Sequence, residues 1–145
     1  MKSDIIWSSK KMDYETPQPL FNDLDKEFGF TIDVCADEHN HKCERYYTKE
    51  QDGLRQDWTG EIVFCNPPYG KGLRKWVEKC FREVYAGGCK NAILLIPART
   101  DTKWFHDFIY HKAEVRFLKG RLRFGGTNAN APFPSMVVIF RGGNA

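Results

Sequence analysis

The residues best suited to chemistry are Asn66, Pro67, Pro68 and Tyr69, which follow directly on the apolar run Glu61-Ile62-Val63-Phe64-Cys65. Two consecutive prolines keep the backbone extended and remove two amide donors. Nearby carbonyl groups can then point outward as acceptors, and Asn66 adds a side-chain carbonyl. Such acceptors can hold an NH2 group through both of its hydrogens. Tyr69 supplies a flat ring on which a planar base can stack. Together the four residues describe a pocket for an exocyclic or carboxamide amine. The plainer alternative is a strand-terminating turn with an aromatic plug.

The elements that must position this turn can be read from periodicity. Residues 61–65 form a strand that Pro67 stops, because proline cannot continue a central strand. After it, Leu73, Trp76, Val77, Cys80, Phe81, Val84 and Tyr85 recur at helical spacing, with Lys71, Lys75, Lys79 and Arg82 off the stripe. Gly87-Gly88 ends that helix. Upstream, Thr16-Pro17 reads as the N-cap and first position of a helix bearing Leu20, Phe21, Leu24 and Phe28, closed by Gly29. Phe30–Cys35 reads as a short buried strand. The polar stretch 36–58 is predicted to hold at most a short strand near Arg45–Thr48. Ala92–Ile96 is a further strand, ended by Pro97. Thr100 or Asp101 is positioned to cap a helix carrying Trp104, Phe105, Phe108 and Ile109. Ala113–Leu118 and Met136–Phe140 read as closing strands, separated by a loop rich in Gly, Asn and Pro.

Strands that alternate with helices, and central strands that are continuous apolar runs, signify a mostly parallel sheet covered on both faces. The last two strands have no helix between them, so an antiparallel pair at one edge is expected. Ligands of such sheets sit at the carboxyl ends of the strands. Those ends are Asp33–Ala36, Asn66–Tyr69 and Pro97–Asp101.

Composition narrows the class. The chain has 145 residues, 41% hydrophobic, 28% charged and 14% aromatic. That suits one globular domain and argues against disorder. No apolar run approaches the roughly 20 residues of a membrane span, and no signal peptide is evident, so a cytoplasmic protein is expected. The net charge of +3 is unevenly distributed: residues 1–70 are net acidic and residues 71–145 strongly basic. A basic half suits a polyanionic partner. The cysteines, Cys35, Cys43, Cys65, Cys80 and Cys89, are odd in number and lack C-x-x-C spacing, which fits reduced thiols. Cys35, His39, His41 and Cys43 match no common zinc spacing, and no metal is expected.

With these pieces in place, the chain resembles a known family. An Asn-Pro-Pro-Tyr box after a strand is similar to the catalytic motif of S-adenosylmethionine-dependent amino methyltransferases. The rest looks like the small phage and prophage DNA N6-adenine methyltransferases of the Dam type. The resemblance is carried by Thr16-Pro17 with Leu20-Phe21, by Asp33-Val34-Cys35-Ala36, and by Asp52-Gly53-Leu54 with Asp57-Trp58. It continues through Asn66–Gly70, Pro97–Thr102 with Trp104-Phe105-His106, and Gly120–Phe124, spanning about residues 16–140.

This resemblance implies a three-layer, Rossmann-like class I methyltransferase fold with an antiparallel edge strand. Length suits a single domain over residues 1–145, with the polar, mixed residues 1–15 a flexible arm or an irregular lead-in and no room for a separate target-recognition domain. The resemblance further implies S-adenosylmethionine as cofactor, held by Thr16, Pro17, Asp33, Cys35, Ala36, Asp57 and Asn66. Its expected substrate is the N6 amine of an adenine flipped out of double-stranded DNA and held by Asn66, Pro67, Pro68 and Tyr69. Arg99, Lys119, Arg121 and Arg123 would meet phosphates, and Phe133 would help clamp the base. The protein would act as a monomer or homodimer. Amino methyltransferases often carry a Gly-rich turn after the first strand; this chain has no glycine between Gly29 and Gly53. The alternatives are another NH2 substrate (cytosine N4, an RNA adenine or a protein glutamine) or a non-catalytic nucleic-acid-binding domain.

Overall fold

The structure is a computed structural model that describes residues 14–125 and 130–143. Most of the expected lead-in, residues 1–13, lies outside the described residues. Five strands form one sheet: β1 (Ile32–Asp33), β2 (Ile62–Cys65), β3 (Asn91–Pro97), β4 (Glu114–Phe117) and β5 (Ser135–Arg141). Their spatial order is β1-β2-β3-β5-β4. The first three are parallel, with Val63 beside Ile32 and Leu94 beside Cys65. Strand β5 runs antiparallel to β3 from Asn91↔Arg141 to Pro97↔Ser135, and antiparallel to β4. The expected antiparallel pair is present, but the reversed strand sits one place in from the edge. The edge strand β4 is aligned with the parallel set.

Alternation along the strands feeds two cores. Val63, Cys65, Ala92, Leu94, Ile96, Met136, Val138 and Phe140 face one side, packed with helix α2 (Leu73–Tyr85) and with α3, a π-helical turn over Phe105–Ile109. Phe64, Ile93, Leu95, Val137 and Ile139 face the other, against Phe21, Leu24 and Phe28 of helix α1 (Gln18–Phe28). The outcome is the three-layer α/β arrangement expected of a Rossmann-like methyltransferase fold.

The helices follow their periodicity, with corrections at their starts. Helix α2 has the bounds that its apolar stripe sets. Helix α1 begins after Pro17 with no side-chain cap, so Thr16 lies outside it. Gly29 ends it in the left-handed conformation, at φ 66°. In α3 the hydroxyl that accepts from Phe105 N is that of Thr102, at 3.2 Å, rather than Thr100 or Asp101.

The stretch 36–58 is built from side-chain bonds to backbone. Asp37 Oδ1 accepts from His39 N and Asn40 N, each at 2.8 Å. The strand expected near Arg45–Thr48 is reduced to a parallel bridge between Asp33 and Tyr46. A 3-10 turn over Gly53–Arg55 then packs closely on β1. A Cβ at Gly53 would lie 2.3 Å from Val34 O and 3.2 Å from the Trp76 ring. The Gly53 carbonyl also accepts from Nε1 of fully buried Trp58, at 3.0 Å. Gly53→Ala is therefore expected to destabilise the fold by about 1–3 kcal/mol through overpacking. Urea unfolding checks this, and an unchanged midpoint would remove Gly53 from the packing argument.

Candidate active site

Because β1, β2, β3 and β4 are aligned and β5 is reversed, one edge of the sheet collects the ends of the first four strands and the start of β5. Asn66 stands at this edge, one residue beyond β2, and is 4% exposed. Its side-chain amide is fixed by bonds of known direction. Nδ2 donates to Tyr14 O at 2.8 Å and to Thr16 Oγ1 at 2.9 Å. Both donors of the amide are thereby assigned, which makes Oδ1 the acceptor. Oδ1 receives the Tyr69 hydroxyl at 2.7 Å. The same hydroxyl lies 3.0 Å from Leu95 O. One proton thus has two acceptors in reach.

Thr16 and Pro17 were expected to cap a helix, to hold a cofactor, or both. The hydroxyl of Thr16, 4% exposed, faces Asn66 instead of the helix start. Pro17, expected at the first helical position, takes the N-cap position instead.

Tyr14 lies at the end of the expected flexible or irregular lead-in and packs against the site. Its ring stacks on Tyr69, with centroids 5.5 Å apart and planes 29° apart. Phe124 and Phe133 meet it from the side at 5.3 and 5.4 Å. Phe133 also meets Tyr69 edge-on at 5.5 Å. Glu15 adds a bridge to Gly125, whose N–H donates to Glu15 O at 2.8 Å. A lone aromatic in a polar arm has no periodicity, so the sequence offered no signal for Tyr14 beyond its closeness to Thr16-Pro17. Burial in this cluster pushes Tyr69 well above the usual tyrosine range, so its hydroxyl stays a proton donor.

The other expected cofactor residues divide. Asp33 is 3% exposed, and its carboxylate accepts from Cys35 N at 3.2 Å and Lys42 N at 2.9 Å. It holds the loop after β1 in shape. Cys35 and Ala36 lie on that loop, half-buried and buried, at the same edge as Asn66. Asp57 does not join them. It precedes β2, beside a segment that bonds Gly60 N to Gly88 O and Trp58 N to Glu83, and so lies at the opposite edge of the sheet. Its carboxylate, exposed, closes on the N–H and hydroxyl of Thr59, and these bonds hold it below the usual carboxylate range.

The expected DNA contacts are on the surface at the Asn66 edge. Arg99, just past β3, is exposed, with its guanidinium 5.9 Å from the centre of the Phe133 ring. Lys119, Arg121 and Arg123 are exposed on the segment after β4 that leads into Phe124. Among the described residues no carboxylate pairs with these four. Other basic residues are engaged: Arg116 with Glu27 and Glu114, Arg141 with Glu114, Arg45 with Glu61. Phe133 is buried in the ring cluster rather than displayed on the loop.

Among the described residues no group of three or more His, Cys, Asp or Glu is placed to hold a metal ion. His41 stacks on Tyr46 at 3.9 Å, and its Nδ1 lies 2.8 Å from Cys43 O. Desolvation, with Asp33 and Asp25 nearby, pushes the Cys43 thiol up to about 12. Desolvation, with Glu83 nearby, does the same to Cys89. Both are expected to stay protonated and unalkylated when the folded protein meets iodoacetamide at pH 8, and to react after unfolding. Peptide mass spectrometry reads this, and rapid native labelling would refute the desolvation of half-buried Cys43 or of buried Cys89.

Comparison with known proteins places the chain in a family. Residues 4–142 match the family model described as DNA N-6-adenine-methyltransferase (Dam). The chain is 30% identical over 155 aligned positions to the DNA N-6-adenine-methyltransferase of Haemophilus phage HP1 (strain HP1c1), covering 96% of this chain and 83% of the phage protein. It is 29% identical over 112 positions to the DNA N-6-adenine-methyltransferase of Escherichia phage T1, covering 75% of this chain and 45% of that protein. The family match and the mixed α/β sheet thus identify an α/β methyltransferase. The chain belongs to the Dam family of DNA N-6-adenine-methyltransferases.

Proposed function

We propose that this chain transfers a methyl group from S-adenosylmethionine to N6 of an adenine turned out of double-stranded DNA. The observation that carries the reading is the bonding of Asn66. A buried amide whose hydrogens are committed to Tyr14 and Thr16 presents its carbonyl oxygen in a set direction. The groups that converge there are acceptor oxygens and ring faces. They fit a cationic methyl donor and a neutral aromatic amine.

S-adenosylmethionine supplies a sulfonium methyl that is already electrophilic, so no covalent enzyme intermediate is needed. The chain's own residues act by positioning and by electrostatics. Asn66 Oδ1 and the Pro67 carbonyl accept the two amine hydrogens, which favours a pyramidal nitrogen and steadies the positive charge that develops as the N–CH3 bond forms and the S–CH3 bond breaks; one of the two protons then leaves past Asn66 to water. When Oδ1 takes an amine hydrogen, the Tyr69 proton has Leu95 O as its other acceptor, 3.0 Å away. Tyr69 stacks on the base and Phe133 bounds it. The Tyr69 face that Tyr14 covers is the stacking position, so the Tyr14 ring gives way as the base enters. Thr16, Cys35 and Ala36 line the donor's side, with Asp33 shaping the loop. Arg99, Lys119, Arg121 and Arg123 neutralise phosphates around the turned-out nucleotide.

The first test is labelled methyl transfer from S-adenosylmethionine to unmethylated duplex DNA, followed by digestion to nucleosides. N6-methyladenine is expected. Label found only in N4-methylcytosine, RNA or protein would replace the substrate assignment, and cofactor binding without any transfer would refute the enzymatic reading.

Variants test the roles. Asn66→Ala is expected to lower kcat by about 10²–10³-fold, the usual effect of removing a group aimed at developing charge. Tyr69→Phe keeps the ring and is expected to lose about 3- to 10-fold. Tyr69→Ala also loses stacking worth ~1–3 kcal/mol and should be markedly worse. Equal rates for the two Tyr69 variants would contradict stacking. Arg121→Ala and Arg123→Ala should each weaken DNA binding and reduce the slope of log K against log salt by about 1. An unchanged slope removes that arginine from the interface.

A further inference from the structure

We infer that the Ser135 hydroxyl donates a hydrogen bond to a ring nitrogen of the target adenine, N1 or N7, the two acceptors that flank N6. The inference rests on the proposed DNA adenine methylation and adds a base-reading residue to it.

Ser135 is 1% exposed, and among the described residues its hydroxyl oxygen has no hydrogen-bond partner. Buried hydroxyls are nearly always paired, so an unmatched one needs a reason. The backbone around it is satisfied: Leu118 N donates to Ser135 O at 3.1 Å, and Ala98 N to Pro134 O at 2.9 Å. Across the sheet stands Pro97, which has no N–H to offer. Alanine would suit the position on packing grounds alone.

Its place in the sheet points to the ligand. Ser135 opens β5, where Val137 and Ile139 face the core that also holds Phe124 and Phe133. By alternation Ser135 shares that face. Phe133, two residues earlier, lies edge-on to Tyr69 at 5.5 Å. The hydroxyl therefore stands on the ring-cluster side, at the sheet edge that carries Asn66. Strand order separates donor from acceptor: the loop after β1 is on one side of Asn66, and the start of β5 is on the other, beyond β3. In-line transfer puts the sulfonium and the amine on opposite sides of the migrating carbon. With the donor on the β1 side, the base lies toward β3 and β5. Displacement of Tyr14 by the base opens the same face.

The test is Ser135→Ala, assayed on three duplexes that carry adenine, 1-deazaadenine or 7-deazaadenine at the target position. On adenine, kcat/KM should fall roughly 3- to 10-fold, the loss of one buried hydrogen bond. On the analogue that lacks the bonded nitrogen, the wild type should lose a similar factor and the variant nothing further. The thermal midpoint should hold or rise, because an unmatched buried polar group has been removed. The stabilising response to S-adenosylmethionine should not change. Wild-type kcat/KM in the variant, or an equal loss on all three duplexes, overturns the inference while leaving DNA methylation intact. A lowered midpoint assigns the hydroxyl to the fold, and a weakened response to the cofactor assigns it to the donor; either overturns it. A wild-type protein that forms no N6-methyladenine removes the underlying reading and this inference together.

Discussion

A buried primary amide must place both of its hydrogens, and in this protein that requirement ties the molecule together. Asn66 reaches the backbone of Tyr14 and the hydroxyl of Thr16, more than fifty residues away for the former and fifty for the latter. It can do so because β2 stops at Pro67, where ladder bonding ends and the side chain is left facing the segment that leads into α1. An amide left unmatched there would cost ~1–3 kcal/mol. The same bonds give the carbonyl oxygen a fixed direction. Fold stability and the orientation of the proposed acceptor thus rest on one set of contacts.

Legibility in the sequence followed physical locality. Helix α2 was readable to the residue because its pattern repeats over three turns, and β3 and β5 because both faces of the sheet are covered. The stretch 36–58 was not, since its shape comes from Asp33, Asp37 and Asp52 bonding backbone amides, which leaves no period. Thr16 shows how a local rule can yield to a distant partner: a Thr-Pro pair before a helix is a capping signal, yet the hydroxyl serves Asn66. Asp57, which the resemblance set beside the cofactor, precedes β2 and lies at the end of the sheet away from Asn66. A residue that precedes a strand belongs at its amino end, so the signal for that placement was there. Ser135 gave none, because whether a hydroxyl finds a partner is a property of the folded chain.

Charge shows a similar division. The surplus of Lys and Arg in the second half suggested a polyanion partner, but the count mixes two populations. Arg116 and Arg141 form a network with Glu27 and Glu114 that braces the β4 edge against α1. Glu27 and Glu114 are held below the usual carboxylate range by those arginines. Arg99, Lys119, Arg121 and Arg123 stand apart from it, around the rim of the aromatic cluster.

The strand order also bears on how the molecule comes into being. Among the described residues β4 pairs with β5 alone, and β5 is the last of the described elements. Strand β4 therefore joins the sheet through β5, and the arginine-bearing segment behind it is tied to β3 only when β5 lies between them. The pairing of Asn91 with Arg141 and of Pro97 with Ser135 closes a long loop, a slow step for a chain of this size. Completion of the sheet around the Asn-Pro-Pro-Tyr turn thus waits on β5, and until β5 is in place that turn stands without the segment that carries Lys119, Arg121 and Arg123 beside it.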